Sequence, residues 1–595
     1  MVRAFGVEER FSNMKALLKL LPYFARHKKK FLLGFLFILI SDAFDVVSPL
    51  FVGNAVDKLT HGQSTPQSLL ITGLSILGLA VVSGSFFFLV RQTIIVASRE
   101  MEFDLRNDFL AHIERLSARF FQNTPQGDVM AYATNDISAV RNFIGPAVMY
   151  SADTIATAVL VLGLMLSISP LLTAVIVLPL PIMSYGVYLV GKRVHPLFDG
   201  VQAHYADLSS RVTESISGTR VVKAYVREEY EKDVFDKLSR GYFLKNMKLI
   251  KVQGLMMPII VGFMGISYLL LILIGGRLVM GHNLTIGQLT EIVMYLAKLT
   301  WPFIAVGFVT NMIQRAAASM QRLQKIFDIV PEIKNESHTD RKITSLDGEI
   351  EFRNVTFRYR PELEPAVSNV SLTIPRNSTL AIIGRTGSGK SSLVGLIPRL
   401  YDVTEGSIFI DGKDIRQIPL ETLRASIGMV TQEAFLFSES IAENIAFGAD
   451  SGQLELVENA AKAADIYDNI IDFPNGFETM LGERGITLSG GQKQRTAIGR
   501  AIARNPKILI LDDAMSAVDT ATEERILKNL KRIMENRTSI LISHRVSTVK
   551  EADKIVVLEH GHILEMGTHD ELLSLRGAYH DLYRKQLLEE ALENA

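Results

Sequence analysis

Gly384, Arg385, Thr386, Gly387, Ser388, Gly389, Lys390 and Ser391 follow the pattern G-x-x-x-x-G-K-[ST], with a further hydroxyl at Ser392. An apolar run, Leu380–Ile383, precedes them, and a helix is expected from about Ser391. Glycines let backbone N–H groups close around phosphate oxygens at a helix N-terminus. Lys390 is then placed to reach the β- and γ-phosphates, and the Ser391 hydroxyl to ligate Mg²⁺. Further along, the apolar strand Ile508–Leu511 ends in two adjacent carboxylates, Asp512 and Asp513. The first is positioned for the Mg²⁺ shell. Binding and hydrolysis of a nucleoside triphosphate is the chemistry these residue types describe.

These groups must be held by more than one body, because 595 residues exceed a single core and the apolar residues concentrate in the first 320 positions. One body is expected in lipid and one in water. With 63 basic and 63 acidic residues, the chain carries no excess charge that would favour nucleic acid. Without cysteine there are no disulfides and no thiolate metal sites. The first 30 residues are basic and amphipathic and do not read as a cleavable signal peptide.

Six apolar stretches long enough to cross a bilayer fall at roughly 31–56, 68–97, 143–166, 171–191, 252–276 and 286–312. Segments 1–30, 98–142 and 192–251 hold 8, 5 and 12 basic residues, whereas the three short turns hold two, Lys58 and Arg277. The long loops are therefore cytoplasmic. Charged and apolar residues alternate at helical spacing over 101–115, so the membrane helices are expected to extend well into the cytoplasm. Segments 124–136 and 214–223, the latter containing Thr219, combine helix breakers with short amphipathic stretches and could lie crosswise against a partner domain.

Asp42, Asp45, Asp153, Glu291 and Lys298 lie inside the spans, with Arg91 near a helix end. Each charge costs about 2.5–3.5 kcal/mol at the bilayer centre on insertion scales, so these groups should face a cavity or one another. Asp42 and Asp45 share a helix face and could meet a cationic substrate or serve as interhelical hydrogen-bonding groups. Kinks are expected at Pro49, Pro179, Pro181, Pro258 and Pro302.

Residues 1–320 thus read as a six-helix membrane domain, 321–348 as a helix end and linker, 349–585 as an α/β nucleotide-binding domain and 586–595 as a tail. Short β-rich runs such as Ile350–Phe357 and Ser407–Ile410 suggest an added antiparallel sheet. Leu488, Ser489, Gly490, Gly491 and Gln492 open a helix about 100 residues after Lys390. They suit a second anion site that serves a facing copy of the domain.

With both motifs in this order, the chain resembles the ATP-binding cassette (ABC) transporter family, in the exporter branch that fuses one membrane domain to one nucleotide-binding domain. The resemblance implies ATP and Mg²⁺ as cofactors, with Ser391, Gln432 and Asp512 near the metal and Tyr359 stacking on adenine. It also implies catalytic roles for Asp513, His544 and Gln432, a dimer-contact loop at Asp519, and a coupling-helix contact at Glu483. The family usually places a glutamate at position 513. Aspartate is one methylene shorter, so binding should survive while hydrolysis slows.

The expected function is ATP-driven export of amphipathic compounds across the inner membrane. The chain is expected to be the slow subunit beside a second half-transporter, a homodimer being the competing arrangement. A lipid or lipopolysaccharide flippase has the same architecture, and an ATP-gated channel or regulatory scaffold is the alternative of another class. Membrane lipids and a small amphipathic or lipid substrate are the expected partners, and nucleic acid is not.

Overall fold

A computed structural model describes residues 15–449, 453–482, 485 and 488–593. The chain forms two compact units. One runs to Glu114 and resumes over Gln126–Ile329, and the other joins Arg115–Pro125 to the chain from Val330 onward.

The first unit is helical, and each expected span lies within a long helix. These helices are α1 (Leu21–Thr60), α2 (Pro66–Ile113), α4 (Gln126–Ile168), α5 (Pro170–Ser217), α7 (Glu228–Met280) and α8 (Ile286–Phe327). In chain order the short helix α3 (Ala118–Asn123) follows α2 and belongs to the second unit, and the short helix α6 (Thr219–Ala224) follows α5 within the first. The extensions beyond bilayer length follow from the charged helical periodicity noted above. Pro49 and Pro302 sit inside α1 and α8, whereas Pro179 marks a break, with one helix ending at Val177 and the next beginning at Pro179.

A polar stripe joins α1 to α8. Asp57 accepts from the Thr285 hydroxyl at 2.6 Å and from the Gly287 amide at 2.7 Å, capping the start of α8. One turn on, Glu291 packs against Gly53, where an added Cβ would come within 2.1 Å of Oε1. The buried Tyr295 hydroxyl then donates to the Val46 carbonyl at 3.0 Å, and Lys298 donates to Asp45 at 2.5 Å. Helical spacing on α8 places these four positions on one face, and of the ionisable groups expected from sequence Asp45 and Lys298 meet each other there rather than lipid. Arg91 differs, its guanidinium lying 5.9 Å from the Phe87 ring centre.

The second unit carries two sheets. β2 (Val367–Ile374), β1 (Ile350–Phe357), β4 (Glu405–Ile410) and β5 (Lys413–Asp414) form the expected antiparallel sheet in that order. A six-stranded sheet follows the order β10-β9-β3-β8-β7-β6 and is parallel except at the β10 edge. Its strands are β3 (Thr379–Ile383), β6 (Ile427–Val430), β7 (Ile508–Asp512), β8 (Thr538–Ile542), β9 (Lys554–Glu559) and β10 (His562–Gly567). Ile382, Ile510, Ile540 and Val556 are among the buried residues of one core beneath it.

The first cytoplasmic connection differs from its expectation. Residues 126–136 continue into α4, and the segment grouped with the α/β unit is Arg115–Pro125, which contains α3. Pro125 disfavours helix at the preceding residue, and Thr124 is extended, so the chain breaks there rather than later. In the other connection, α6 follows Gly218 within the helical unit, leaving Val221 and Tyr225 exposed.

Candidate functional site

Strand order brings the phosphate loop and the paired aspartates together. β3 and β7 flank β8, and Ile382 and Asp512 both register with Ile542 at the end of β8. The loop after β3, the carboxylates ending β7 and His544 just beyond β8 therefore emerge side by side at the C-terminal edge of a parallel sheet. A cavity of about 280 Å³ opens there, lined by Tyr359, Thr386 through Ser392, Gln432, Asp512, Asp513 and His544.

The loop wraps tightly because its glycines allow it. Gly389 has φ +98°, and a Cβ there would come within 2.1 Å of the Ala366 carbonyl oxygen. The helix Lys390–Gly395 (α9) follows at once. Lys390 Nζ donates to the Gly384 and Arg385 carbonyls, each at 2.9 Å, which folds the ammonium into the loop. Gly384 and Arg385 thus hold the lysine through their backbones rather than lining the cavity. The Ser388 hydroxyl is buried without a hydrogen-bond partner. An orphaned hydroxyl in a glycine-rich loop at a helix N-terminus fits a bound phosphate.

Ser391 donates to Asp512 Oδ1 at 3.1 Å, a pair of oxygens suited to a hard divalent cation. Asp512 is 4% exposed. Burial raises its carboxyl above the usual range and Asp513 adds to this, while Ser391, Lys390 and His544 oppose it. Burial likewise lowers the Lys390 ammonium, against the pull of Asp512 and Asp513. The site concentrates both signs of charge at a desolvation cost that a magnesium nucleotide would offset. Asp513 itself has φ +48° and donates its amide to the Ile542 carbonyl at 3.0 Å.

Tyr359 lies at the cavity edge, its hydroxyl 2.9 Å from Ser392 Oγ and its ring edge-on to Tyr401 at 5.4 Å. Tyr401 in turn accepts from Gln122 on α3 at 2.6 Å, and Asn123 on the same helix accepts from Arg360. A continuous set of contacts thus joins the first cytoplasmic connection to the phosphate-loop helix. Nothing local in Gln122 or Tyr401 announced it, since both are ordinary polar residues until folded together.

Ser489, Gly490, Gly491 and Gln492 are not among the residues that line this cavity. Ser489 and Gln492 form a reciprocal cap on the helix Gly490–Ala503 (α10), and Ser489 and Gly490 are exposed. Gln494 donates to the Ser516 hydroxyl and accepts from the Ala517 amide, both at 2.9 Å, which ties α10 to the loop after Asp513. Asp519 accepts from the Thr522 amide at 3.0 Å, capping the next helix, and this bond lowers its carboxyl. Glu483 lies outside the described residues.

Two supports escaped sequence reading. Glu523, 4% exposed, accepts from Thr548 at 2.6 Å and pairs with Arg545, anchoring the segment that follows His544. Gln586 bonds the His544 carbonyl and accepts from the Val546 amide at 2.6 Å. It lies on the helix Ala578–Glu593, whose end covers the stretch expected as a tail.

Fold and cavity define a P-loop ATPase carried on a chain with six membrane-length helices. Residues 31–303 match the ABC transporter transmembrane region, and residues 367–516 match the ABC transporter family. The chain is 35% identical over 584 residues to the probable multidrug resistance ABC transporter ATP-binding/permease protein YheI of Bacillus subtilis, covering 97% of this chain and 98% of that one. It is 38% identical over 483 residues to an ATP-dependent lipid A-core flippase of Desulfotalea psychrophila, covering 81% and 84%. A bacterial Atm1-family ABC exporter solved with ATP bound superposes with a TM-score of 0.78 at 28% identity, covering 94% of this chain and 99% of that one. This chain belongs to the ABC transporter family, as an exporter with its membrane and ATPase domains fused. It is a multi-pass inner-membrane protein whose cytoplasmic ATPase domain binds and hydrolyses ATP to drive export.

Proposed function

We propose that the chain is the slow-hydrolysing half of a heterodimeric exporter of amphipathic or hydrophobic compounds. Asp513 carries this reading. A carboxylate one methylene short of a glutamate's reach leaves the attacking water about 1 Å out of place, an error that costs roughly 100-fold in rate. The φ of +48° supports it, because the left-handed region accommodates aspartate more readily than glutamate. The residue suits its backbone better than it suits a fast general base.

In this reading Tyr359 stacks on adenine, the loop from Gly384 to Ser392 holds the phosphates, and Ser391, Asp512 and Gln432 share the Mg²⁺ shell. Asp513, Gln432 and His544 orient the attacking water at the slow site. Ser489 to Gln492, intact here, complete the partner's nucleotide site. ATP acts by binding the closed pair of ATPase domains more tightly than the open pair. The similarity to a relative named for multidrug resistance supports the compound class.

The test is steady-state ATPase activity of the purified chain in lipid, alongside Asp513→Glu. The expected wild-type rate is near zero with ATP binding intact, rescued by glutamate at 513 or by a second half-transporter. A brisk rate abolished by Lys390→Ala would overturn the slow-subunit reading in favour of a homodimer. The similarity to a lipid A-core flippase favours a homodimeric lipid flippase as the second reading. Vectorial uptake of labelled compound into inside-out vesicles separates either reading from a channel or scaffold.

A further inference from the structure

A second group of opposed charges lies at membrane depth in the helical unit. Asp42 and Asp45 come from α1, Asp153 from α4 and Lys298 from α8. Lys298 Nζ is 2.5 Å from Asp45 Oδ2, and the Asp45 side chain is half exposed. Asp42 is 7% exposed, and its Oδ2 has no hydrogen-bond partner. α1 packs against both α4 and α8, which brings Asp153 and Asp45 into the electrostatic surroundings of Asp42. The cluster thus holds three carboxylates and one ammonium, and that ammonium is paired with Asp45. Neither Asp42 nor Asp153 has an ion pair among the described residues.

Carboxylates without an ion pair at this depth are neutralised either by a proton or by a counter-charge, and a cationic ligand can supply the second. Among the described residues, no group of three His, Cys, Asp or Glu side chains is arranged to hold a metal ion. The neighbouring surface suits a larger cation. Because α4 runs outward and α8 inward, Tyr150, one turn before Asp153, meets Trp301, one turn after Lys298. Their ring centres are 6.3 Å apart, edge to face. Phe308 packs on the same tyrosine at 6.3 Å, and Trp301 and Phe308 are each 49% exposed. An aromatic shelf therefore borders the carboxylates on their cytoplasmic side, and aromatic faces attract cations most strongly where water is scarce.

We propose that Asp42 and Asp153, with the shelf of Tyr150, Trp301 and Phe308, form a binding site for lipophilic organic monocations. This rests on the export reading and narrows its substrate class to compounds that pair one delocalised positive charge with aromatic surface. Lys298 holds Asp45 in place and limits the negative charge left for the ligand.

Trp301 is the sole tryptophan, so its fluorescence reports on this site. The full chain in phosphatidylcholine nanodiscs is titrated with tetraphenylphosphonium, and with the anion tetraphenylborate as the charge-reversed control. The expected result is saturable quenching by the cation alone, with affinity falling by roughly 30-fold or more in Asp42→Asn/Asp153→Asn, as when a buried charge loses its partner. Should that variant fail to fold, Lys298→Met carries the test, because freeing Asp45 is expected to tighten cation binding. Equal quenching by the anion, or unaltered cation affinity in the folded variants, overturns the site. Binding needs no turnover, so the two readings fail separately. A chain that binds the cation but moves no compound into vesicles keeps the site and loses the export of amphiphiles. A chain that exports a neutral amphiphile without binding the cation loses only the site.

Discussion

The nucleotide cavity and the membrane cluster both set aspartates against a single lysine, but they assemble that arrangement in opposite ways. In the ATPase unit, Lys390 and Ser391 are neighbours, as are Asp512 and Asp513, and parallel strands deliver both pairs to one sheet edge. Backbone amides and left-handed glycines supply much of the positive field there, so the site reads as a motif. In the membrane unit, Asp45 and Lys298 are separated by 253 positions, and only helix packing brings them to 2.5 Å. Water can compensate charges at a cytoplasmic cavity, but at membrane depth they must find partners within the protein or in a ligand. A short motif therefore suffices for the first site, while the second depends on the whole bundle.

The contrast is broken most forcefully at Lys390. Lys390→Ala should weaken ATP binding by roughly 30-fold or more, as when one member of a buried charge pair is removed. It should leave the quenching of Trp301 by tetraphenylphosphonium unchanged, and both are measured on one preparation. If the two fall together, the sites are not independent. Asp513→Glu should raise turnover by up to roughly 100-fold, the penalty assigned to a water held about 1 Å from its place. A fall in rate would mean that aspartate at this left-handed position is already the working base.

Lys298→Met sharpens the comparison from the other side. Its expected effect is about a tenfold tighter Kd for the cation, or about 1.4 kcal/mol, read from the same fluorescence titration. The smallest effect belongs to Asp512. Burial raises its carboxyl, so the stability it contributes is present below its ordinary pKa and is lost as pH rises through the raised value. At neutral pH the nucleotide-free protein carries that penalty. Asp512→Asn should therefore raise its melting temperature, by about 2–4 °C for each kcal/mol relieved, while abolishing stabilisation by magnesium and ATP. Mild acidification should stabilise the nucleotide-free wild type in the same assay and leave Asp512→Asn less affected.

The sequence by itself determined the six spans, their orientation, the ATPase fold and the loop from Gly384 to Ser391. Each is written in contiguous residues whose periodicity or backbone chemistry acts locally. Only the tertiary structure decided that Gln122 reaches Tyr401, that Gln586 holds the His544 carbonyl, and that Glu523 pairs with Arg545 and Thr548. It also sorted the intramembrane charges, packing Glu291 against Gly53, pairing Asp45 with Lys298 and leaving Asp42 Oδ2 without a partner. The reason is physical: a charge's cost and its choice of partner depend on neighbours contributed by distant helices, and helical periodicity fixes which face a residue occupies but not what it meets there.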